Sequence, residues 1–169
     1  MSGRPTAADV ATLRTQLGRT PFASILNVET RCPSGHPEVV RIHPIVDSGA
    51  GARPFPTLFW LTCSAVDAAI ARIEAAGGIA RAEAAIAEDE ALRAAVAADH
   101  EAYAAERWSL LTPAERARWT AALRDRGIGG IADRTRVKCL HLHWAHHRAR
   151  GSALGRWLEQ HAIPPCRSR

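Results

Sequence analysis

The sequence is poor in several residue types that mark particular protein classes. Aromatic residues make up 5% of its 169 residues, methionine occurs once, and Lys138 is its single lysine. The longest apolar run, residues 57–63, is far shorter than the roughly 20 residues of a membrane-spanning helix. The opening residues, MSGRPTAADV, lack the apolar stretch of a secretory signal peptide. We therefore expect a cytoplasmic protein that does not enter a membrane.

Cysteine is also scarce, and its spacing excludes some common metal sites. The cysteines are Cys32, Cys63, Cys139 and Cys166, without the short CxxC pairs of zinc fingers and ribbons. Because the cytoplasm keeps thiols reduced, a disulfide framework is not expected. Four widely separated cysteines in that compartment indicate metal binding or catalysis more than structural cross-links.

The overall composition is that of a folded domain with an excess of positive charge. Hydrophobic residues make up 47% and charged residues 23%, close to the values of ordinary globular proteins. The net charge of +5 is concentrated near the C-terminus, whereas the segment AEAAIAEDEAL is acidic. This charge permits nucleic-acid binding but supports it only weakly.

The first part of the chain predicts a short helix followed by strands. Residues 6–17 have apolar positions at helical spacing and end at Gly18. FASILNVETRC, the stretch from Val39 to Val46, and TLFWLTC are strand candidates, and DSGAGARPFP is predicted to be a loop.

The rest of the chain predicts helices. Ser64 is expected to cap a helix that runs to about Ala76. A helical pattern follows from Ile79 to Trp108, with a break near Glu88–Glu90. Further helices are predicted from a capping box formed by Thr112 and Glu115, from near Arg136 to His147, and in ALGRWLEQH.

Early strands followed by a run of helices are typical of the α+β class. We expect a small N-terminal β-sheet of about three strands, covered by four or five α-helices. The whole chain, residues 1–169, is predicted to be a single domain. Its parts are an N-terminal helix (1–18), strands (22–63), a helical part (64–161) and a tail (162–169).

The segment VKCLHLHWAHH, residues 137–147, concentrates groups that bind metals. In a helix, Cys139, His143 and His146 fall at i, i+4 and i+7 and share a face, whereas His141 points away. Thiolate and imidazole at this spacing can reach one zinc or iron centre.

The remaining ligands would come from distant parts of the chain. Cys32 and Cys63 each end a predicted strand, so neighbouring strands would bring both thiols to one edge of the sheet, and Cys166 is a further candidate. Three or four thiolates suit zinc or an iron–sulfur cluster. We therefore predict a metal-binding protein, and an open coordination position would make it an enzyme for a small-molecule substrate.

Other interpretations of these residues stay open. Buried cysteines are common in cores, so each thiol has packing as its simplest role. Cys139 could be a nucleophile activated by His143, with Asp133 or Glu29 as the orienting group. The flanking cations could instead bind phosphate or nucleic acid; they are Arg134, Arg136, Lys138, Arg148 and Arg150.

Several motifs together resemble a bacterial family known as domain of unknown function 501. They are RCPSGHPEVV, PFPTLFWLTC, GIGGIADRTRVKCLHLHWAHH and GSALGRWLE, which occur in this order between about Leu17 and Glu159. The resemblance carries no established activity, and Ser64 stands where the family pattern leads us to expect proline. It implies that the loop Gly127–Gly130 belongs to the site. It also implies that the signature positions are Cys32, Cys63, Cys139, His141 and His146.

Overall fold

One helix precedes the strands, and the remaining helices follow them along the chain. The computed structural model describes residues 2–18, 24–47 and 49–160. In chain order the elements are α1 (Ala7–Leu17), β1 (Ile25–Arg31), β2 (Pro37–Ile42), β3 (Ile45–Asp47), β4 (Ala52–Pro54), β5 (Phe59–Leu61), α2 (Ser64–Ala75), α3 (Gly78–Glu88), α4 (Glu90–Ser109), α5 (Pro113–Leu123), α6 (Leu140–Arg150) and α7 (Ala153–Gln160), with a 3-10 turn at Ile128–Gly130 between α5 and α6.

Local capping signals determine where several helices begin. Thr6 and Thr112 each form a capping box, with Asp9 and Glu115 respectively, at the starts of α1 and α5. Asp89 has an extended backbone and accepts hydrogen bonds from the first turn of α4, so α3 and α4 are separate helices. The predicted break near Glu88–Glu90 is confirmed.

The start of α2 differs by one residue from the prediction. Cys63 occupies the N-cap position and Ser64 is the first helical residue. Proline is well tolerated at a first helical position because its missing N–H would have no partner there. Ser64, which departs from the family pattern, therefore stands at a position where serine and proline are both compatible with the helix.

The strands form two small antiparallel sheets. In the larger, β2 lies between β1 and β5; in the smaller, β3 pairs with β4. The predicted strand from Val39 to Val46 is thus divided after Ile42, next to Pro44, which has no N–H to donate to a ladder. The predicted loop DSGAGARPFP contains β4, so the expectation of about three strands was too low.

Both faces of the larger sheet are buried. Val39 and Val40 are adjacent on β2 and enter different hydrophobic clusters, because successive strand residues point to opposite faces. Leu13 of α1 packs on the face that carries Val40. On the opposite face α6 contacts β1, β2 and β5, and residues of α2, α3, α4 and α7 join the same hydrophobic cluster. The described residues form seven α-helices, so the α+β class is confirmed with more helices than expected.

Arginines hold α6 against the sheet. Arg148 forms two hydrogen bonds of 3.0 Å with Glu38 on β2. Arg150 binds Glu29 on β1 at 2.8 Å and Glu106 on α4 at 2.7 Å. The side chains of Glu29 and Glu38 are 4% and 6% exposed. Buried carboxylates require such partners, so these ion pairs fix where α6 lies.

A third arginine, Arg107, is wholly buried and binds backbone oxygens. The guanidinium of Arg107 donates to Pro56 O at 3.1 Å, to Gly127 O at 3.1 Å and to Leu123 O at 2.6 Å, and also to Arg126 O. Burial lowers its pKa. Since the last carbonyls of a helix lack helical partners, Arg107 satisfies the end of α5 and the start of the glycine loop.

Replacing Arg107 with methionine should destabilise the protein severely. Several buried carbonyl groups would lose their donor, and we expect the free energy of unfolding to fall by roughly 3 kcal/mol or more. Urea denaturation measures the loss. The exposed Arg72 provides a matched control, because Arg72→Met should change the free energy of unfolding by less than about 0.5 kcal/mol. Similar losses in the two variants would contradict this role of Arg107.

Candidate functional site

The histidine-rich helix begins later than its sequence predicts. Cys139 has an extended backbone, and α6 starts at Leu140 rather than near Arg136. The backbone N–H of Leu140 donates to Glu74 Oε1 at 2.5 Å, so a carboxylate from α2 caps α6. Because Cys139 precedes the helix, the prediction that it shares a helical face with His143 and His146 is wrong.

Three different ligand-type side chains converge at this junction of α2 and α6. The ligand atoms of Glu74, Cys139 and His141 all lie within 4.8 Å of one another, and each residue is half-buried. Glu74 Oε1 is 3.1 Å from His141 Nδ1. Within the part of the chain that the structure describes, this is the one group of three or more Cys, His, Asp or Glu side chains that is so close.

The imidazole of His141 is held from both sides. Its Nε2 lies 3.1 Å from the backbone oxygen of Asp67 and 3.4 Å from Asp67 Oδ1. The hydrogen bond with Cys139 and the charges of Glu74 and Asp67 outweigh desolvation and raise the pKa of His141 to about 9. Both ring nitrogens therefore carry protons at neutral pH.

The other predicted thiol ligands lie elsewhere. Cys32 and Cys63 are free thiols in the hydrophobic core, 7% and 4% exposed. Cys63 precedes α2 and is 11 residues before Glu74, roughly 16 Å along the helix axis. Neither thiol joins the group at Cys139, and Cys166 lies outside the described residues. A site with three thiolates thus finds no support in the described arrangement.

The remaining predicted histidines are buried on another face of α6. His146 stacks on Phe59 with ring centroids 5.8 Å apart, and its edge meets Tyr103 of α4 at 5.1 Å. His143 meets His100 of α4 edge-on at 5.8 Å. Burial lowers the pKa of His143 to about 3, and those of His146 and His100 to about 4. These histidines are neutral core residues, whereas His141 faces α2.

The two α2 residues that hold His141, Glu74 and Asp67, were not predicted from the sequence. The residues predicted as an orienting group, Asp133 and Glu29, are engaged elsewhere: Asp133 binds Thr135, and Glu29 lies in the ion pairs under α6. The one sequence signal for Glu74 was its position as a charged residue near the C-terminal end of α2, a mostly apolar helix. Asp67 acts mainly through its backbone oxygen, which leaves no signal in the sequence.

The glycine loop Gly127–Gly130 packs beside the start of α6. Lys138 Nζ donates to Gly129 O at 2.9 Å. A Cβ at Gly129 would lie 2.3 Å from Leu142 Cδ1, and the φ of Gly129 is +67°, a conformation that glycine adopts without cost. The loop therefore packs against and supports the segment that carries Cys139 and His141.

The cations that flank the histidines all bind groups within the protein. Lys138 binds a carbonyl oxygen. Arg134 and Arg136 pair with Glu101 and Glu83 respectively, and Arg148 and Arg150 form the ion pairs under α6. Because the four arginines are paired with carboxylates and Lys138 donates to a carbonyl oxygen, the predicted phosphate-binding surface finds little support.

The fold and site define an α+β protein with a carboxylate–thiol–imidazole group where two helices meet. The chain belongs to the family described as "Protein of unknown function (DUF501)", whose sequence model matches residues 28–160. The matched range includes the whole group. No curated protein and no solved structure matches the chain. Of the helices in the described residues, none has the length and apolar character needed to cross a membrane.

The imidazole of His141 should titrate near pH 9 in NMR spectra of the protein without added metal. A pKa raised by folding means that its contribution to stability is complete below pH 6.5 and is lost as the pH rises through about 9. Glu74→Gln should lower this pKa because it removes the carboxylate charge. Glu159→Gln, which removes the partner of His147, should leave it unchanged. A pKa below 7 in the unaltered protein would refute the assignment.

The buried histidines should make the fold sensitive to acid. Their pKa values are lower in the folded protein than in the unfolded chain, so stability falls as the pH drops from 6.5 towards about 4. Each proton taken up on unfolding contributes a slope of about 1.4 kcal/mol per pH unit. In urea denaturation across this pH range, the free energy of unfolding should decline less for His143→Leu than for the unaltered protein. The exposed His36 serves as the control, and His36→Gln should keep the full decline.

Proposed function

We propose that the chain binds one zinc-like divalent metal ion through Cys139, His141 and Glu74. The observation that carries this proposal is the convergence of their ligand atoms within 4.8 Å of one another. Zinc accepts thiolate, imidazole and carboxylate donors, at distances of about 2.0–2.3 Å. Modest side-chain movements would bring three donors already this close around one ion.

The hydrogen bonds of His141 support this role. Ligating histidines usually donate their second ring N–H to a carbonyl or carboxylate, which fixes the ring and its tautomer. Here Nε2 faces the backbone oxygen of Asp67 and Nδ1 faces Glu74, each at 3.1 Å. A metal ion bound at Nδ1 would take the place of the proton that Nδ1 shares with Glu74, while Asp67 would keep the ring in position.

The donor set favours zinc over an iron–sulfur cluster. Clusters are held mainly by several cysteine thiolates, and the group at the α2–α6 junction contains one thiol. Mixed nitrogen, oxygen and sulfur donors suit a single zinc ion. The sequence left zinc and an iron–sulfur cluster as equal alternatives, and the single thiol of this group supports the proposal of zinc.

Three protein ligands would leave a fourth position for water or a small-molecule substrate. Catalytic zinc sites have this composition, and the bound ion lowers the pKa of its water. The side chains of His141 and Glu74 are 23% and 21% exposed, so a small molecule can reach them. We propose metal-assisted activation of water as the reaction class.

A thiol nucleophile is the second candidate, and one observation favours it. The ligand atoms of Cys139 and His141 lie within 4.8 Å of each other, and Glu74 now supplies the orienting carboxylate that this mechanism needs. The mechanism also needs a ring nitrogen that can take the thiol proton. Both nitrogens of His141 have oxygen partners at 3.1 Å. A metal ion can displace the proton at Nδ1, whereas a thiol cannot, which is why the metal site is preferred.

Metal analysis of protein purified without oxygen tests the proposal. We expect one zinc ion per chain, and a loss of affinity of more than about 100-fold in Cys139→Ser, His141→Gln and Glu74→Gln, measured by chelator competition. Cys63→Ala is the matched thiol control and should bind zinc normally.

Other outcomes would identify the competing hypotheses. Equal losses of zinc affinity in Cys32→Ala, Cys63→Ala and Cys139→Ser would instead support the hypothesis of a site with three thiolates. Absence of metal, with rapid alkylation confined to Cys139, would favour the nucleophile. Failure of the unaltered chain to retain zinc under any loading condition would refute the metal site.

A further inference from the structure

We propose that the metal site responds to oxidants: a peroxide oxidises Cys139, and the metal ion is then released. This inference rests on the proposed function and adds a form of regulation to it. It follows from the different environments of the thiols and from the small number of ligands that the group provides.

The described thiols differ in their access to solvent. Cys139 is half-buried at the junction of α2 and α6, whereas Cys32 and Cys63 are 7% and 4% exposed in the core. Oxidation of cysteine requires the thiolate and access for the oxidant. A metal ion deprotonates a coordinating thiol, so Cys139 would meet both conditions in the loaded protein.

The chemical step balances with hydrogen peroxide as the oxidant. The sulfur of the Cys139 thiolate attacks one peroxide oxygen, an S–O bond forms, and the O–O bond breaks. Hydroxide leaves with the electron pair, and Cys139 becomes a sulfenic acid. The sulfur is oxidised by two electrons and the peroxide is reduced by two.

Loss of this one sulfur would be enough to release the ion. A neutral sulfenic acid is a weaker ligand than a thiolate, and His141 and Glu74 alone provide two protein donors, fewer than the three or four of ordinary zinc sites. Glu74 and His141 also bind each other at 3.1 Å, and Glu74 caps Leu140. The start of α6 can therefore regain these contacts after the ion has left.

The described part of the chain places no second thiol near Cys139, so a small thiol from solution would serve for recovery. Cys32 and Cys63 lie in the core and outside the group, so neither is placed to form a disulfide with Cys139. A low-molecular-weight thiol would condense with the sulfenic acid, giving a mixed disulfide and water. A second small thiol would then attack this disulfide and restore the Cys139 thiol.

The test uses the full chain loaded with zinc. Hydrogen peroxide is added, zinc release is followed with a chromogenic chelator, and sulfenic acid is trapped with dimedone for mass spectrometry. We expect release in proportion to the labelling of Cys139, unlabelled Cys32 and Cys63, and renewed zinc binding after treatment with a thiol when dimedone is omitted.

Control variants, and the outcomes that would contradict each proposal, distinguish this inference from the proposed function. Cys63→Ala and Cys32→Ala should bind and release zinc as the unaltered chain does. Zinc that stays bound in the presence of peroxide, with Cys139 unmodified, would overturn the inference and leave the metal site intact. Release that follows oxidation of Cys32 or Cys63 would also overturn it. A chain that holds no zinc before peroxide is added would overturn both proposals.

Discussion

The placement of α6 depends on ion pairs at its C-terminal end. Arg148 and Arg150 engage Glu38 and Glu29, carboxylates that are buried on the two longest strands. Arg150 also reaches Glu106 on α4, and its guanidinium lies 4.8 Å from the ring centroid of Phe59. A buried carboxylate without a partner is costly, so α6 cannot leave the sheet without a large loss of stability.

This attachment has effects at the other end of the helix. A helix rises about 1.5 Å per residue and behaves as a stiff rod over three turns, so fixing Arg150 also fixes His141 relative to α2. The cap that Glu74 provides for Leu140 then sets the first turn. The group at Cys139 is thus held by two separate sets of contacts, one at each end of α6.

The sequence predicted features whose causes are local and missed those that depend on distant residues. The capping box at Thr112 and the break at Asp89 are formed within a few residues, so they could be recognised. Glu74 and His141 are 67 residues apart, and no spacing rule joins them. The choice of His143 came from helical periodicity, which identified the buried face of α6 rather than the face that meets α2. The family resemblance gave His141 the greater weight, and the structure places it beside Cys139.

The contact between α4 and α6 has a consequence for how these helices can move. They meet through ring edges and an ion pair, in which His100 faces His143, Tyr103 faces His146, and Glu106 faces Arg150. Branched alkyl chains tolerate small shifts, but each of these matched partners would be lost if one helix slid by a turn. The pairing therefore favours a single register of α4 against α6.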